Sequence, residues 1–383
     1  MVAAIRAEAQ GTARSLDIDA SIRSAGMGGA CNAVFWGADP NDWANPALLG
    51  YHSGLRYSWG KTRLVPGLAP DVFFKTQRIT VGSSGVGIGV PGNLNGYGST
   101  LLDYGLLQGL DPQGNPAVGP RAFERIRSWG IGVSLARLAG AAFERAGRSP
   151  PRFLRYADFA AGYNDKHVVV DLGGPSGETD ARDFGFLVSA TPLDYRNGRQ
   201  GRDAGLPLRI DLAYGKSILN YNDASIIYLF EPSPTSRIFR DGLAAHTALG
   251  VVESVRKALG EREWLIRSLD PLFSLGLSSD WEHVQAGDDK RGYDVERQGV
   301  EFSVMNVLTV RGGHVRDRLG DIDGGTFGLG AGFCVGDVAG FRYDWATIPQ
   351  ASGLERVKRR GFTVFVDPFR LGQMRRGRGP SSL

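Results

Sequence analysis

The sequence has few cysteines and no long hydrophobic run, and these two deficits exclude whole classes of protein. Only two of the 383 residues are cysteine, Cys31 and Cys334, so no disulfide framework or cysteine-rich metal site is available. The longest mainly apolar stretch, residues 131–143, is short and contains Arg137. We therefore expect no membrane-spanning helix, because such a helix needs about 20 consecutive apolar residues.

The chain also has little excess charge of either sign. It contains 44 Lys and Arg against 40 Asp and Glu, a net charge of +4, which is too weak to indicate a nucleic-acid partner. Its five histidines lack metal-ligand spacing, and motifs for a catalytic nucleophile or a phosphate-binding loop are absent from the sequence. We therefore predict a non-enzymatic protein with no cofactor and no nucleic-acid partner.

Glycine, in contrast, is abundant. It accounts for 55 of 383 residues, about 14%, which is roughly twice the average usage. Long helices tolerate this poorly, since each glycine costs about 1 kcal/mol relative to alanine. Strands that pack closely or line a lumen accept glycine readily, so the composition favours a β structure.

Many segments alternate apolar residues with small or charged residues, which is the pattern of β-strands. Residues 206–214 place five apolar or aromatic side chains on one face, and residues 341–345 place three aromatic side chains on one face. Such alternation fits a soluble sandwich, with the apolar face inside, or an outer-membrane barrel, with the apolar face toward lipid. Aromatic residues at strand positions, as in interfacial girdles, favour the barrel.

In a barrel, the opposite face of these segments would line the lumen. Four lumen-facing charges are predicted: Arg209, Asp211, Arg342 and Asp344. Fourteen strands of about 11 residues would use about 154 residues. The rest of the chain then suffices for an N-terminal segment of about 50 residues and for connections of ordinary length.

Two terminal blocks carry a family resemblance. Residues 24–30 read SAGMGGA and residues 43–49 read WANPALL, while 299–302, 308–313 and 341–346 read GVEF, LTVRGG and FRYDWA. In this order, the blocks resemble the PorV/PorQ-like outer-membrane proteins, relatives of the FadL fatty-acid channels. The resemblance implies an all-β fold: a closed antiparallel transmembrane β-barrel of about 14 strands with an N-terminal plug or hatch.

The resemblance also implies a division of the chain. Residues 1–50 would be an export remnant and the hatch or plug segment, 51–369 the outer-membrane β-barrel, and 370–383 a basic disordered tail. The outer-membrane lipid would surround the barrel. The hatch residues implied are Gly26, Met27, Gly28, Gly29, Asn45 and Pro46.

Three functions remain open at this point. A PorV-like protein would act as a partner or shuttle in protein secretion to the cell surface, and would bind secretion machinery or cargo protein. A FadL-like channel would pass a hydrophobic small-molecule ligand, with the hatch gating a pocket and a lateral exit through the wall. A soluble β-rich structural protein is the third alternative. An apolar cavity behind residues 24–50 would favour the channel, and a plugged lumen with apolar-tipped outer loops would favour the shuttle.

Overall fold

The structure is a computed structural model of the chain. It describes residues 12–37, 39–92, 98–110, 115–174, 176–195, 207–228, 231–260, 262–286, 289–335 and 338–368. The first eleven residues of the predicted export remnant and hatch or plug segment, and the predicted basic tail at residues 370–383, lie outside the described residues.

The described residues form seventeen strands, all joined to their sheet neighbours in antiparallel pairs. Their bounds are β1 Gly54–Val65, β2 Ala69–Ser83, β3 Val86–Pro91, β4 Thr100–Leu110, β5 Pro116–Ser134, β6 Ala157–Asp171, β7 Ser176–Asp194, β8 Leu208–Leu219, β9 Ser225–Tyr228, β10 Glu231–Pro234, β11 Ser236–Leu249, β12 Phe273–Ala286, β13 Asp289–Val304, β14 Leu308–Asp317, β15 Ile322–Val335, β16 Ala339–Ile348 and β17 Val357–Val366.

Fifteen of these strands close into one barrel. The first strand, β1, pairs with β2 on one side and with β17 on the other, so the sheet has no free edge. Both β3 and β4 lie between β2 and β5 and together make one interrupted strand position. The described residues therefore give fourteen positions, and the predicted closed antiparallel barrel is confirmed. The remaining two strands, β9 and β10, form a separate hairpin.

Short helices occur outside the sheet. Their bounds are α1 Ile22–Gly26, α2 Leu135–Arg145, α3 Glu253–Ala258 and α4 Glu263–Leu269, with 3-10 helices at Arg14–Leu16, Pro46–Tyr51 and Arg152–Arg155. None of the helices in the described part of the chain has the length and hydropathy to cross a membrane.

The two faces of the barrel wall differ as the alternation predicts. On β8, the side chain of Leu212 points outward and is 48% exposed, whereas its neighbour Asp211 points inward and is fully buried. The same contrast recurs on β15 and β16, where Leu329 and Tyr343 are exposed on the outside and Asp344 is buried inside. Because apolar side chains cover the outside and charged side chains fill the inside, the soluble sandwich is excluded.

Successive strands run in opposite directions, so the connections between them lie alternately at the two ends of the barrel. We call the end where β1 begins and β17 finishes the termini end, and the opposite one the far end. Helices α2, α3 and α4 all lie in connections at the termini end. Outward charged side chains form a collar nearer the far end: Lys61, Arg127, Asp165, Arg182, Asp241, Arg316 and Arg360. The apolar belt therefore lies toward the termini end, and the barrel extends beyond it at the far end.

Some local patterns of the sequence predict element bounds that differ from those of the structure. The alternation predicts separate strands at 153–163 and 165–172, but the structure has one strand, β6, whose pairing with β5 and β7 runs without interruption. The glycine pair 324–325 is a turn signal in the sequence, but it lies inside β15 and pairs with β14. The pattern of residues 244–259 fits a helix or an irregular strand, and the structure divides this segment into the end of β11 and the helix α3.

Candidate functional site

The N-terminal segment, residues 12–52, runs through the inside of the barrel. It starts at the far end, where the Thr12 N–H donates to the Pro234 carbonyl at 2.8 Å. It leaves at the termini end, where β1 begins at Gly54. Most of the residues between are buried, and Met27, Leu48 and Leu49 are fully buried. The segment thus crosses the lumen from one mouth to the other.

A ring of wall glycines receives this segment. At thirteen of the fourteen strand positions in the described structure, an inward-facing glycine lies so close to the segment that a Cβ atom would meet it. The ring is Gly60, Gly82, Gly87, Gly132, Gly162, Gly185, Gly215, Gly242, Gly276, Gly299, Gly313, Gly328 and Gly361. Much of the glycine excess in the sequence therefore has a structural role: it makes room for a polypeptide inside a narrow barrel.

The predicted glycines of the segment meet this ring directly. Gly26 packs on the backbone of Gly328, and Gly28 lies against the β14 backbone near Gly313. Gly28 and Gly29 both have positive φ, +67° and +84°, which residues with a side chain rarely adopt. The Gly28 N–H donates to the Thr326 hydroxyl at 2.9 Å, and that hydroxyl donates to the Gly26 carbonyl at 3.0 Å.

Asn45 and Pro46 begin the 3-10 helix that leads out of the lumen. The Asn45 side chain caps this helix by accepting from the Ala47 N–H at 3.1 Å, and Pro46 occupies its first position. The same amide also donates to the carbonyls of Asn32 and Phe186, each at 3.0 Å. Asn45 therefore joins two parts of the segment to β7.

Asn32 is a second anchor, and no sequence pattern predicts this role. Its backbone N–H donates to Asp280 on β12 at 2.9 Å, and its side-chain amide donates to the Gly215 carbonyl on β8 at 2.8 Å. The Ser217 hydroxyl donates to its side-chain oxygen at 3.0 Å. One asparagine thus fixes the middle of the segment to two wall strands.

The predicted charges Arg342 and Asp344 belong to a buried ionic network. Arg311 donates to Asp344 at 2.6 Å and to Glu301 at 2.7 Å, and Arg342 donates to Asp344 at 3.1 Å. Arg23 of α1 joins this network through Glu301. Three of these five residues, Arg23, Glu301 and Arg311, were not predicted as site residues, because no local pattern sets them apart.

The other predicted pair, Arg209 and Asp211, lies in a separate cluster. Asp211 accepts from Arg209 at 2.8 Å, from Thr191 at 2.7 Å and pairs with Nδ1 of His246 at 3.0 Å. The His246 ring stacks on Trp36 of the N-terminal segment, with ring centroids 4.8 Å apart. All four predicted charges thus lie on the inward face, divided between two networks that both contact the segment.

Burial changes the acid–base chemistry of groups within the segment. Burial raises the pKa of the Cys31 thiol to about 12 and that of the Asp17 carboxyl to about 6. Burial and the nearby Arg56 and Arg78 hold the pKa of His52 well below its usual range. At neutral pH, Cys31 is therefore a thiol and His52 is uncharged.

A cavity inside the barrel is small, and charged groups form part of its lining. It measures about 40 Å³ and lies between the segment and β1, β2 and β17, with Asp39, Asp42, Arg78 and Thr76 in its lining. A water needs about 10–15 Å³ by this measure, so there is room for only a few waters. A drug-sized ligand needs a site of about 300 Å³ or more, so this cavity does not hold one.

A larger apolar hollow lies on the wall, near the termini end. It measures about 620 Å³ and is lined by side chains of β7, β8, β11 and β12, including Leu212, Leu243 and Leu277. These three leucines are exposed residues of the apolar belt, so the hollow opens outward. In a bilayer, acyl chains would fill it.

The inner and outer surfaces of the barrel fit a location in a lipid bilayer. A closed barrel leaves no backbone group unpaired at a sheet edge, and an apolar outside with a charged inside suits lipid around it. The predicted location in the outer membrane is confirmed by this architecture. Among the described residues, no group of three or more His, Cys, Asp or Glu side chains is arranged to hold a metal ion.

Comparisons with known proteins give remote similarities of fold. No family model and no curated protein matches the sequence. Among solved structures, a Pseudomonas aeruginosa FadL homologue superposes with a TM-score of 0.41 and 10% identity, over 90% of this chain and 97% of that chain. The Ralstonia pickettii toluene transporter TbuX gives 0.39 and 11% identity, over 89% and 96%. The transport unit of the Escherichia coli autotransporter AIDA-I gives 0.30 and 9% identity, over 90% and 95%.

Proposed function

We propose that this protein is a non-enzymatic outer-membrane barrel of the PorV type that acts as a partner or shuttle protein in secretion to the cell surface. The observation that carries the proposal is the closed lumen. The N-terminal segment packs against a glycine on nearly every strand position and is held by buried ion pairs. A barrel closed in this way offers its outer surfaces, rather than its interior, to other molecules.

The far end supplies a surface suited to a protein partner. Three strongly exposed apolar side chains lie there beyond the charged collar: Leu68 and Val118, each 75% exposed, and Ile227, 61% exposed. The collar separates them from the apolar belt, so lipid does not cover them. Burial of these apolar side chains against a protein partner would be favourable, because it removes apolar surface from water.

Site-specific photo-crosslinking in intact cells tests the partner role. A photoreactive residue at position 68 is expected to crosslink to an exported or secretion-machinery protein. The matched control is the same residue at position 212, which lies in the apolar belt and is expected to crosslink only to lipid. Absence of any protein adduct at positions 68, 118 and 227 would contradict the proposal.

A second candidate is a FadL-like channel for hydrophobic small molecules. One observation favours it: the third strand position is interrupted between Pro91 and Thr100, while β2 pairs with both pieces. A solute that leaves sideways would have to pass this break, where the Gly92 N–H donates to the Gln77 carbonyl at 3.2 Å and the Gln77 N–H donates to the Ser99 carbonyl at 2.8 Å. The polar lining of the cavity near β2 argues against it, because an apolar solute would have to cross buried charges.

A reversible lock separates the two candidates. Ala25 of the segment and Ala346 of β16 belong to one buried apolar cluster, so these two positions are chosen for a pair of cysteines. The variant with cysteines at positions 25 and 346 also carries Cys31→Ala and Cys334→Ala. The control protein has the same two alanines and a cysteine only at position 346. A channel would lose uptake of a hydrophobic solute on oxidation and regain it on reduction. A shuttle would keep its protein crosslinks in both states.

A further inference from the structure

The connection between β5 and β6, residues 135–156, has the composition of a membrane-surface element. We call it the rim segment; it contains α2 and the 3-10 helix Arg152–Arg155 at the termini end. It carries five arginines and a single acidic residue, Glu144. A basic segment that contains an amphipathic helix is typical of elements that lie on a lipid surface.

Its apolar side chains continue the lipid-facing belt. On β5, Trp129 and Ile131 point outward and are 57% and 46% exposed, and Leu135 follows at 52%. On the β6 side, Phe153 is 66% exposed and Phe159 is 44% exposed. Since the belt runs into the rim segment from both flanking strands, the segment lies at the boundary between hydrocarbon and headgroups.

The start of the rim segment is held firmly to the barrel. Asp158 accepts from the Ser134 hydroxyl at 2.6 Å and from the Ala136 N–H at 2.8 Å. The Arg137 side chain donates to the Tyr51 carbonyl at 3.0 Å and covers the Tyr51 ring at 4.8 Å. Both the nearby carboxylate and the first arginine are therefore occupied by contacts with the barrel and the N-terminal segment.

The remaining four arginines are available to bind an external anion. Arg145, Arg148 and Arg152 are exposed, and Nε of Arg155 is buried without a hydrogen-bond partner among the described residues. No carboxylate of the described chain forms an ion pair with these four side chains. Guanidinium groups bind phosphate through two parallel hydrogen bonds, and anionic lipid surfaces attract basic residues at the membrane boundary.

We propose that the rim segment binds the phosphate-bearing headgroups of anionic glycerophospholipids in the leaflet at the termini end. Leu135 and Phe153 enter the hydrocarbon boundary, and Arg145, Arg148 and Arg152 contact the phosphates. The barrel thereby gains a preference for anionic lipid on one side. This inference concerns the lipid boundary and does not depend on the partner or channel role of the protein.

The test compares nanodiscs of phosphatidylcholine alone with nanodiscs that contain phosphatidylglycerol. Amide hydrogen exchange is measured for peptides that cover residues 135–156. In the unmodified protein, exchange is expected to slow on the order of tenfold in the phosphatidylglycerol discs, and 0.5 M salt should reduce the effect. The triple variant R145Q/R148Q/R152Q is expected to lose the difference between the two discs.

A charge-matched control uses exposed basic residues at the far end. The variant R318Q/K358Q/R360Q removes the same charge and should keep the lipid-dependent slowing in the rim segment. Heat-modifiable migration on gels verifies that each variant forms the barrel. Equal exchange in both discs for the unmodified protein would overturn the inference, as would a lipid effect that survives in the rim variant or vanishes in the far-end control. Slow exchange of the rim segment in both kinds of disc would indicate a protein contact instead and would also overturn it.

Discussion

Arg23 on α1 and Glu301 on β13 form an ion pair with two hydrogen bonds inside the lumen. Arg23 Nε lies 2.9 Å from Glu301 Oε2, and Arg23 Nη2 lies 2.6 Å from Oε1. Arg23 also donates to the Trp36 carbonyl at 2.8 Å. The pair therefore folds the segment on itself and fastens it to the wall.

Replacing Glu301 with glutamine should destabilise the barrel strongly. Arg23 and Arg311 would both lose a buried counter-charge, and breaking such a pair typically costs about 3–5 kcal/mol. The measurement is equilibrium unfolding in detergent. The control is Lys216→Gln on the outer face, where the half-exposed pair with Asp241 should contribute about 1 kcal/mol or less. Equal losses for the two variants would show that the Arg23–Glu301 pair has no special role.

Arg311 and Arg342 should differ in their effect on stability although both contact Asp344. Arg311 is fully buried and bridges Asp344 to Glu301, so Arg311→Met should cost about 3 kcal/mol or more. Arg342→Ala should cost less, because Asp344 keeps its bond to Arg311. Melting temperatures by heat-modifiable electrophoresis compare the two variants. A larger loss for Arg342→Ala would contradict the geometry of the network.

A methyl group added to the glycine ring should displace the N-terminal segment. In Gly162→Ala, the new Cβ would collide with the backbone of Pro46, and overpacking of this kind typically costs about 1–3 kcal/mol. The control is Gly325→Ala, whose Cβ would meet only the Gly313 carbonyl at an ordinary 3.7 Å. Limited proteolysis of residues 12–52 should increase in the first variant and remain unchanged in the control. Faster proteolysis in Gly325→Ala than in Gly162→Ala would contradict close packing between the segment and the glycine ring.

The stability of the barrel should depend on pH through Asp17. Burial raises its pKa to about 6 in the folded chain, above the unfolded value of about 3.9. Folding therefore favours the protonated form, and this contribution to stability decreases as the pH rises from about 4 to about 6, then stays constant.

The variant Asp17→Asn tests whether stability decreases with rising pH because of Asp17. It should reduce the difference in melting temperature between pH 4.5 and pH 7, and should be at least as stable as the unmodified protein at pH 7. Asp39, whose pKa burial also raises to about 6, contributes in the same direction, so part of the pH dependence should remain. An unchanged pH dependence in Asp17→Asn would assign the effect to other groups.

Cys31 should report on opening of the lumen. The residue is 1% exposed and burial raises its thiol pKa to about 12, so both access and the thiolate fraction are low at pH 7.5. With Cys334 replaced by alanine, maleimide labelling of the folded barrel should be slow. Adding Glu301→Gln should accelerate it, because the segment is less firmly held. Rapid labelling of the unmodified segment would show that the lumen opens freely.

The local alternation of side chains and the family resemblance together predicted the architecture. Each strand alternates side chains between lipid and lumen, so segments such as 206–214 and 341–345 already specify which face is apolar. Glycine abundance favoured a β structure, and the block at 24–30 marked where the close contacts of the N-terminal segment lie. Strand ends were less predictable, since Gly324 and Gly325 serve as strand residues rather than as a turn.

The contacts inside the lumen could not be derived in the same way, because they join residues that are far apart in the chain. Arg23 and Glu301 are separated by 278 positions, and Asn32 meets Gly215 across 183. An isolated arginine or asparagine has the same local signature whether it faces water or a buried carboxylate. Local patterning thus determined that apolar and polar side chains alternate along each strand, and the resemblance implied the closed barrel. Only closure of the strands decided which charges pair and that the chain fills its own lumen.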